Sequence, residues 1–197
     1  MNVSRRLRFA RFGMSGFLFL AVATASSVVS AADSVTLQAA FLRGDYDAVV
    51  REARRVDQKS EMDDTTLYLW GVSALQRDHL EEGQRLLNRL LSEHAGTRWR
   101  GQARLAVGQS LEDAGRDADA AETYETLLKE EGSRGYSAQA LLHLAKVQMR
   151  LGQWNESRVS LRTLLQRAPD SQEAATARDL LQQGSLDRKS TRLNSSH

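Results

Sequence analysis

The residues that could perform chemistry are few, and their arrangement does not fit a catalytic or metal site. The 197-residue chain has no cysteine, and its three internal histidines, His79, His94 and His143, stand singly. A zinc site needs clustered ligands, and a nucleophilic site needs a serine or cysteine with a histidine base. The sequence has no Ser-His-Asp order, glycine-rich phosphate loop or His-Glu-x-x-His motif. We therefore predict no catalytic residue, no metal, no cofactor and no enzymatic activity.

The distribution of charge argues against a nucleic-acid partner. The net charge of +2 comes from the ends of the chain, because four arginines precede residue 33 and residues 187–197 add a further +2. Residues 33–186 therefore keep a net charge of −4. Sequence-independent nucleic-acid binding needs clustered cations that replace counterions. A mildly acidic central segment favours other partners.

The N-terminal residues have the pattern of a secretory signal peptide. Arginines are followed by the apolar run Phe17–Ala23 and then by small residues, which suits cleavage after Ala31 or Ala32. The apolar run is shorter than the ~20 residues that span a bilayer. We expect Sec export and a periplasmic protein without stable membrane insertion after cleavage, and an uncleaved N-terminal anchor remains the alternative.

The last eleven residues resemble translated sequencing adapter. The tail DRKSTRLNSSH, residues 187–197, matches the translation of a widely used short-read adapter. The natural gene is then expected to continue past Leu186, and the chain to be a truncated reading frame. The sequence therefore leaves the natural C-terminus and the oligomeric state undetermined.

The central segment is repetitive, and its period is that of helix pairs. The small residues Gly71, Gly108 and Ala145 stand 37 residues apart, twice. Turn-type residues recur seven positions later and once upstream: Gly44, Asp78, Gly115 and Gly152. The intervening apolar residues are spaced by three and four, and no stretch alternates at period two. The pattern predicts helices joined by short turns and no strands.

This pattern resembles the tetratricopeptide repeat, a helix-turn-helix unit of about 34 residues. The resemblance implies an all-α fold, a TPR-type α-solenoid of helix-turn-helix repeats. One departure is Asp117, where the family has an aromatic residue. The predicted organisation is a signal peptide (1–32), a weak first repeat (33–63), three repeats (64–100, 101–137, 138–170), a capping helix or truncated fifth repeat (171–186) and the adapter-like tail (187–197). A capping box at residues 170–173 is expected to open the segment 171–186.

The resemblance also implies where a partner binds, because the family's concave groove is lined by the first helix of each repeat. The corresponding positions form the predicted partner-binding groove: Tyr68, Val72, Leu75, Leu105, Gln109, Glu112, Leu142, Lys146 and Met149. Each of the three repeats contributes three of these residues, and the first of each three is apolar. We therefore expect the groove to bind an extended or helical segment by apolar contact, with polar residues at the edges of the groove. Alternatively, some of these positions belong to the intramolecular core.

The signal peptide and the repeat length together resemble the bacterial envelope branch of the family. That branch includes the coordinator of the Tol-Pal division machinery and outer-membrane assembly proteins. The implied function is a non-catalytic periplasmic scaffold that binds a segment of an envelope protein, such as a division or outer-membrane assembly component, in its groove. The alternative is the N-terminal adaptor part of a larger protein whose C-terminal domain binds peptidoglycan or is an enzyme.

Overall fold

The computed structural model describes residues 31–57, 62–130 and 134–194, and these ranges are helical without a strand. Residues 1–30, which hold most of the predicted signal peptide, lie outside the described residues. The nine α-helices in these ranges are α1 (Ala31–Leu42), α2 (Tyr46–Asp57), α3 (Asp64–Gln76), α4 (Leu80–Glu93), α5 (Arg100–Asp113), α6 (Asp117–Lys129), α7 (Ser137–Arg150), α8 (Trp154–Arg167) and α9 (Gln172–Asn194). A short 3₁₀ turn, Arg134–Tyr136, precedes α7.

The chain divides into two compact units, residues 1–86 and 87–197, and the boundary falls inside α4. In the first unit α1, α2 and α3 pack against one another. In the second unit each helix from α5 to α8 packs on the next, and α9 packs on both α7 and α8. We call α1, α3, α5 and α7 the opening helices and α2, α4, α6 and α8 the closing helices, because they alternate along the chain.

The same backbone turn follows every opening helix. The four predicted turn residues have φ between 60° and 75°: Gly44, Asp78, Gly115 and Gly152. Glycine adopts this left-handed conformation without steric cost, and aspartate tolerates it better than most residues. The N–H of the next residue then donates to a carbonyl five residues earlier, as from Gln153 to Gln148 at 2.8 Å. This bond satisfies a carbonyl that the helix end leaves free. The predicted turn positions are confirmed.

Two glycines allow close approach between an opening and a closing helix. A Cβ on Gly108 would lie 2.4 Å from Cε1 of Tyr124, whose side chain is fully buried. A Cβ on Gly83 would lie 2.5 Å from Cδ2 of Leu75. Any larger residue at these points would push the helices apart, because protein interiors have little free volume.

The helix α9 completes the core of the second unit. A helix begins at Gln172, inside the predicted segment, but the cap differs from the predicted box at residues 170–173, because Ser171 Oγ accepts a hydrogen bond from the Ala174 N–H at 3.2 Å. The helix continues to Asn194, past the predicted end of the segment at residue 186. The adapter origin of residues 187–197 stays a prediction. The buried residues that join α9 to α7 and α8 are Leu141, Leu142, Ala145, Leu161, Leu164, Ala174 and Ala177.

Candidate partner-binding surface

In the first unit, two of the three predicted groove residues are core. Tyr68 and Leu75 are 8% and 4% exposed, and the Leu75 side chain lies directly against Gly83. Val72, on the same opening helix, is half-buried. Their apolar side chains stabilise the unit, and only Val72 offers appreciable surface.

In the second unit, the predicted residues separate by polarity. Leu105 of α5 and Leu142 of α7 are buried, at 0% and 7% exposure. The remaining four members are half-buried and lie on the same two opening helices: Gln109, Glu112, Lys146 and Met149. The apolar anchors that the sequence assigned to the groove are therefore inside the chain in this structure. The binding role of the set stays a prediction, and its accessible members are mainly polar.

Glu112 is the centre of a hydrogen-bonded cluster that joins α5, α6 and α7. Its Oε2 accepts from the Tyr124 hydroxyl at 3.0 Å and lies 2.7 Å from Nδ1 of His143. Its Oε1 accepts from Arg150 Nη1 at 3.2 Å. The Glu112 side chain is 14% exposed. Three donors therefore surround one largely buried carboxylate. Without them its two oxygens would be buried and without hydrogen bonds, which is energetically costly.

The cluster continues to Asp117, the residue at which the sequence departs from the repeat pattern. The Arg150 guanidinium donates to both Asp117 carboxylate oxygens, from Nη2 at 2.8 Å and from Nε at 3.0 and 3.1 Å. Asp117 opens α6 and Arg150 closes α7, so this ion pair joins consecutive repeats. Sequence reasoning missed Arg150 as a member of the site. Two features of the sequence could have indicated the pair: an acid stands where one repeat should have an aromatic residue, and the next repeat contains an arginine.

The histidine of the cluster has a defined hydrogen-bonding pattern. Nε2 of His143 lies 3.3 Å from Nε2 of Gln109, and its ring stacks on Tyr124 with ring centroids 5.6 Å apart. Nδ1 can donate to Glu112, and the role of Nε2 toward the Gln109 amide depends on the tautomer. His143 is therefore a partly buried structural residue.

The electrostatics of the cluster favour an ionised Glu112. Burial opposes the charge on Glu112, but the hydrogen bond and charge of His143, the Tyr124 hydroxyl and Arg150 outweigh it and lower the pKa of Glu112. Burial, followed by the adjacent Glu112, raises the pKa of Tyr124 and of Asp113. The hydrogen bond to Asp117 raises the pKa of Arg150 against partial desolvation. The cluster thus holds charges fixed and offers no free base or nucleophile.

The accessible side chains beside the cluster differ in character from it. Lys146 follows His143 by three residues and Met149 follows Lys146 by three, so all three share one side of α7. Within the described ranges Lys146 makes no ion pair or hydrogen bond through its side chain. The half-buried Gln109 of α5 lies beside this side of α7, with its Nε2 against His143 and its Oε1 buried. This surface can bind carbonyl or carboxylate oxygens and an apolar side chain of a partner.

Other candidate chemistry is limited in the part of the chain that the structure describes. Those residues include no group of three or more histidine, cysteine or acidic side chains that could hold a metal ion. No helix among them is long and apolar enough to span a bilayer. The His79 side chain is 48% exposed, and its Nδ1 lies 3.5 Å from Oε2 of Glu82.

Alternating helix pairs with a polar surface on their opening helices define an all-α repeat scaffold. A family model described as "Tetratricopeptide repeat-like domain" matches residues 47–188, well over half of the chain. The chain belongs to this family. Tetratricopeptide domains are scaffolds that typically bind proteins and are generally non-catalytic.

Solved structures with the same fold confirm the predicted class, an all-α TPR-type α-solenoid. One structure of MamA is 14% identical, with a TM-score of 0.63 over 76% of this chain and 84% of that chain. "MamA AMB-1 P212121" is 14% identical, with a TM-score of 0.57 over 76% and 79% of the two chains. "MamA MSR-1 C2" is 15% identical, with a TM-score of 0.55 over 80% and 86%. Identities this low show the fold alone. The comparison with curated proteins gave no match.

Proposed function

We propose that this protein is a non-catalytic periplasmic scaffold that binds a segment of an envelope protein on α5 and α7. Membership of a family of protein-interaction scaffolds supports the binding role. The signal-peptide pattern of residues 1–32 supports export to the periplasm. The envelope partner rests on the resemblance to the envelope branch of the family.

One observation carries the choice of surface: Lys146 is half-buried on α7 and has no ion-pair partner among the described residues. The Lys146 stem is partly covered, which restricts where its unpaired ammonium can lie, and an oxygen-bearing partner group could pair with that charge. The neighbouring Met149 thioether is flexible and suits apolar side chains of varied shape.

Glu112 is excluded from direct recognition by its own contacts. Its carboxylate is already engaged by His143, Tyr124 and Arg150. Its role in binding is to hold α5 and α7 at a fixed spacing, so that Gln109 and Lys146 face a partner together. Preorganisation of this kind lowers the entropy lost on binding.

A charge reversal tests the proposed surface. The variant Lys146→Glu is expected to recover at least about fivefold less cross-linked envelope protein from a periplasmic fraction, because repulsion replaces attraction. Lys129→Glu is the matched control, since Lys129 is an exposed lysine at the end of the closing helix α6. Equal recovery by the wild type and Lys146→Glu, with both variants folded by circular dichroism, would contradict the proposed surface.

A second function follows from the adapter-like tail. If residues 187–197 are translated adapter, the described helices are the adaptor part of a larger protein with a peptidoglycan-binding or enzymatic domain downstream. A long sequencing read across the codon of Leu186 tests this. A frame that continues into a further domain supports the adaptor function, and a stop codon within a few residues supports the small scaffold.

A further inference from the structure

Two partly apolar, exposed surfaces of this chain carry charges of opposite sign. The described residues expose five large apolar side chains, and two of them, Val35 and Leu42, lie on α1 at 65% and 61% exposure. They are seven residues apart and therefore share one helix face with the half-buried Ala39 between them. Arg43 follows at the end of α1, exposed. We call Val35, Ala39, Leu42 and Arg43 the α1 stripe.

The second surface is a cleft between the closing helices α6 and α8, with α7 at its base. The cleft has a volume of about 480 Å³. Leu128, Leu141, Leu144 and Val159 supply its apolar lining, and Val159 is 63% exposed. Leu141 and Leu144 at the base are each 4% exposed, so Val159 and the half-buried Leu128 supply most of the apolar surface that a helix face could cover. We call this surface the α6–α8 cleft.

The charges of the two surfaces have opposite sign. Glu125 of α6 and Glu156 of α8 border the cleft, and both are exposed. Neither they nor Arg43 form an ion pair with another described residue. Arg167 also borders the cleft, on the last turn of α8, whereas Glu156 lies on the first turn of the same helix, so Arg167 would repel Arg43 at that helix end. The charge pattern therefore favours one direction, in which the Arg43 end of the stripe lies beside Glu156, at the start of α8, and away from Arg167.

From this complementarity we propose that the α1 stripe of one copy docks in the α6–α8 cleft of a second copy. The contact is heterologous, because two different surfaces meet. In a dimer one copy therefore keeps a free stripe and the other keeps a free cleft, so further copies can add and form a chain. A single helix in a cleft belongs to the small, transient class of interface. Neither surface includes Lys146, so this association is independent of the partner-binding surface proposed above.

Sedimentation velocity of the full chain tests the docking. Since the contact is small, the weight-average sedimentation coefficient is expected to rise between about 10 and about 500 µM protein. Val35→Glu, in the stripe, and Val159→Glu, in the cleft, are each expected to abolish the rise. Ala175→Glu, on the exposed side of α9, is the matched control and should associate as the wild type does. All three positions are exposed, so thermal unfolding should be unchanged.

A mixture of the two deficient variants separates this contact from other modes of self-association. Val35→Glu keeps an intact cleft and Val159→Glu keeps an intact stripe, so an equimolar mixture is expected to form dimers that grow no further. The proposal is overturned if the wild type is monomeric throughout, if either variant associates normally, or if the mixture stays monomeric. A loss of thermal stability in Val35→Glu with a monomeric wild type would assign the stripe to an intramolecular contact instead.

Discussion

The substitution Glu112→Gln tests whether the buried cluster stabilises the second unit. The change removes one negative charge and replaces an oxygen by a donor N–H₂ group at almost constant volume. In the native chain the carboxylate accepts from Tyr124, His143 and Arg150 at 3.0, 2.7 and 3.2 Å. An amide can accept through one oxygen only, so at least one of these donors faces another donor in the variant.

The expected loss of stability is about 1–3 kcal/mol. Hydrogen bonds to a charged group contribute ~1.5–3 kcal/mol each when buried, but they are not additive and one acceptor remains. The contribution of Arg150 is discounted, because its side chain is 43% exposed and keeps Asp117 as a partner. Tyr124 and His143 both contact Oε2, so the amide oxygen can keep both partners, and the main cost is therefore that these two hydrogen bonds lose their charged acceptor.

Urea unfolding monitored by circular dichroism at 222 nm measures this loss. Glu125→Gln is the matched control, because Glu125 is exposed and makes no ion pair within the described residues; its effect should stay within about 0.5 kcal/mol. A Glu112→Gln variant as stable as this control would refute the stabilising role of the cluster.

Three further changes should alter stability in stated directions, each measured by the same unfolding assay. Gly108→Ala should destabilise by about 1–3 kcal/mol, because its Cβ would lie 2.4 Å from the buried Tyr124 ring; wild-type stability would disprove the close approach. Asp63→Ala should cost about 1 kcal/mol, since Asp63 caps α3 by accepting from the Thr66 N–H at 2.8 Å; no change would show that the cap is dispensable. The lowered pKa of Glu112 means that its stabilising effect is full above its ordinary value of 4.5 and is lost as pH falls through the lower folded value. The stability difference between wild type and Glu112→Gln should therefore shrink below pH 4.5, and a difference that grows there would contradict the charge assignment.

The helices and their turns were predictable because local rules specify them. Apolar spacing fixed the helical faces, and the left-handed positions fell on Gly44, Asp78, Gly115 and Gly152, residue types that tolerate positive φ. These signals depend on a few neighbouring residues, so no knowledge of tertiary contacts was required.

The polar cluster was not predictable in the same way. Arg150 meets Asp117 and Glu112 across 33 and 38 residues, and such a pairing depends on how consecutive opening helices pack. Asp117 looked like a departure from the repeat pattern until its partner was seen. The exposure of the groove leucines was equally ambiguous, because Leu105 and Leu142 suit a binding surface and a core alike. Only the packed structure shows that both are buried.

Site-specific photocrosslinking in the native periplasm tests the central claim most directly. A photoreactive amino acid at position 146 or 109 should give covalent adducts with an envelope protein, because both positions lie on the proposed binding surface. The same amino acid at Arg51 or Arg85, exposed on the closing helices α2 and α4, should give none of these adducts. Adducts that form equally at all four positions, or at Arg51 and Arg85 alone, would contradict partner binding on α5 and α7.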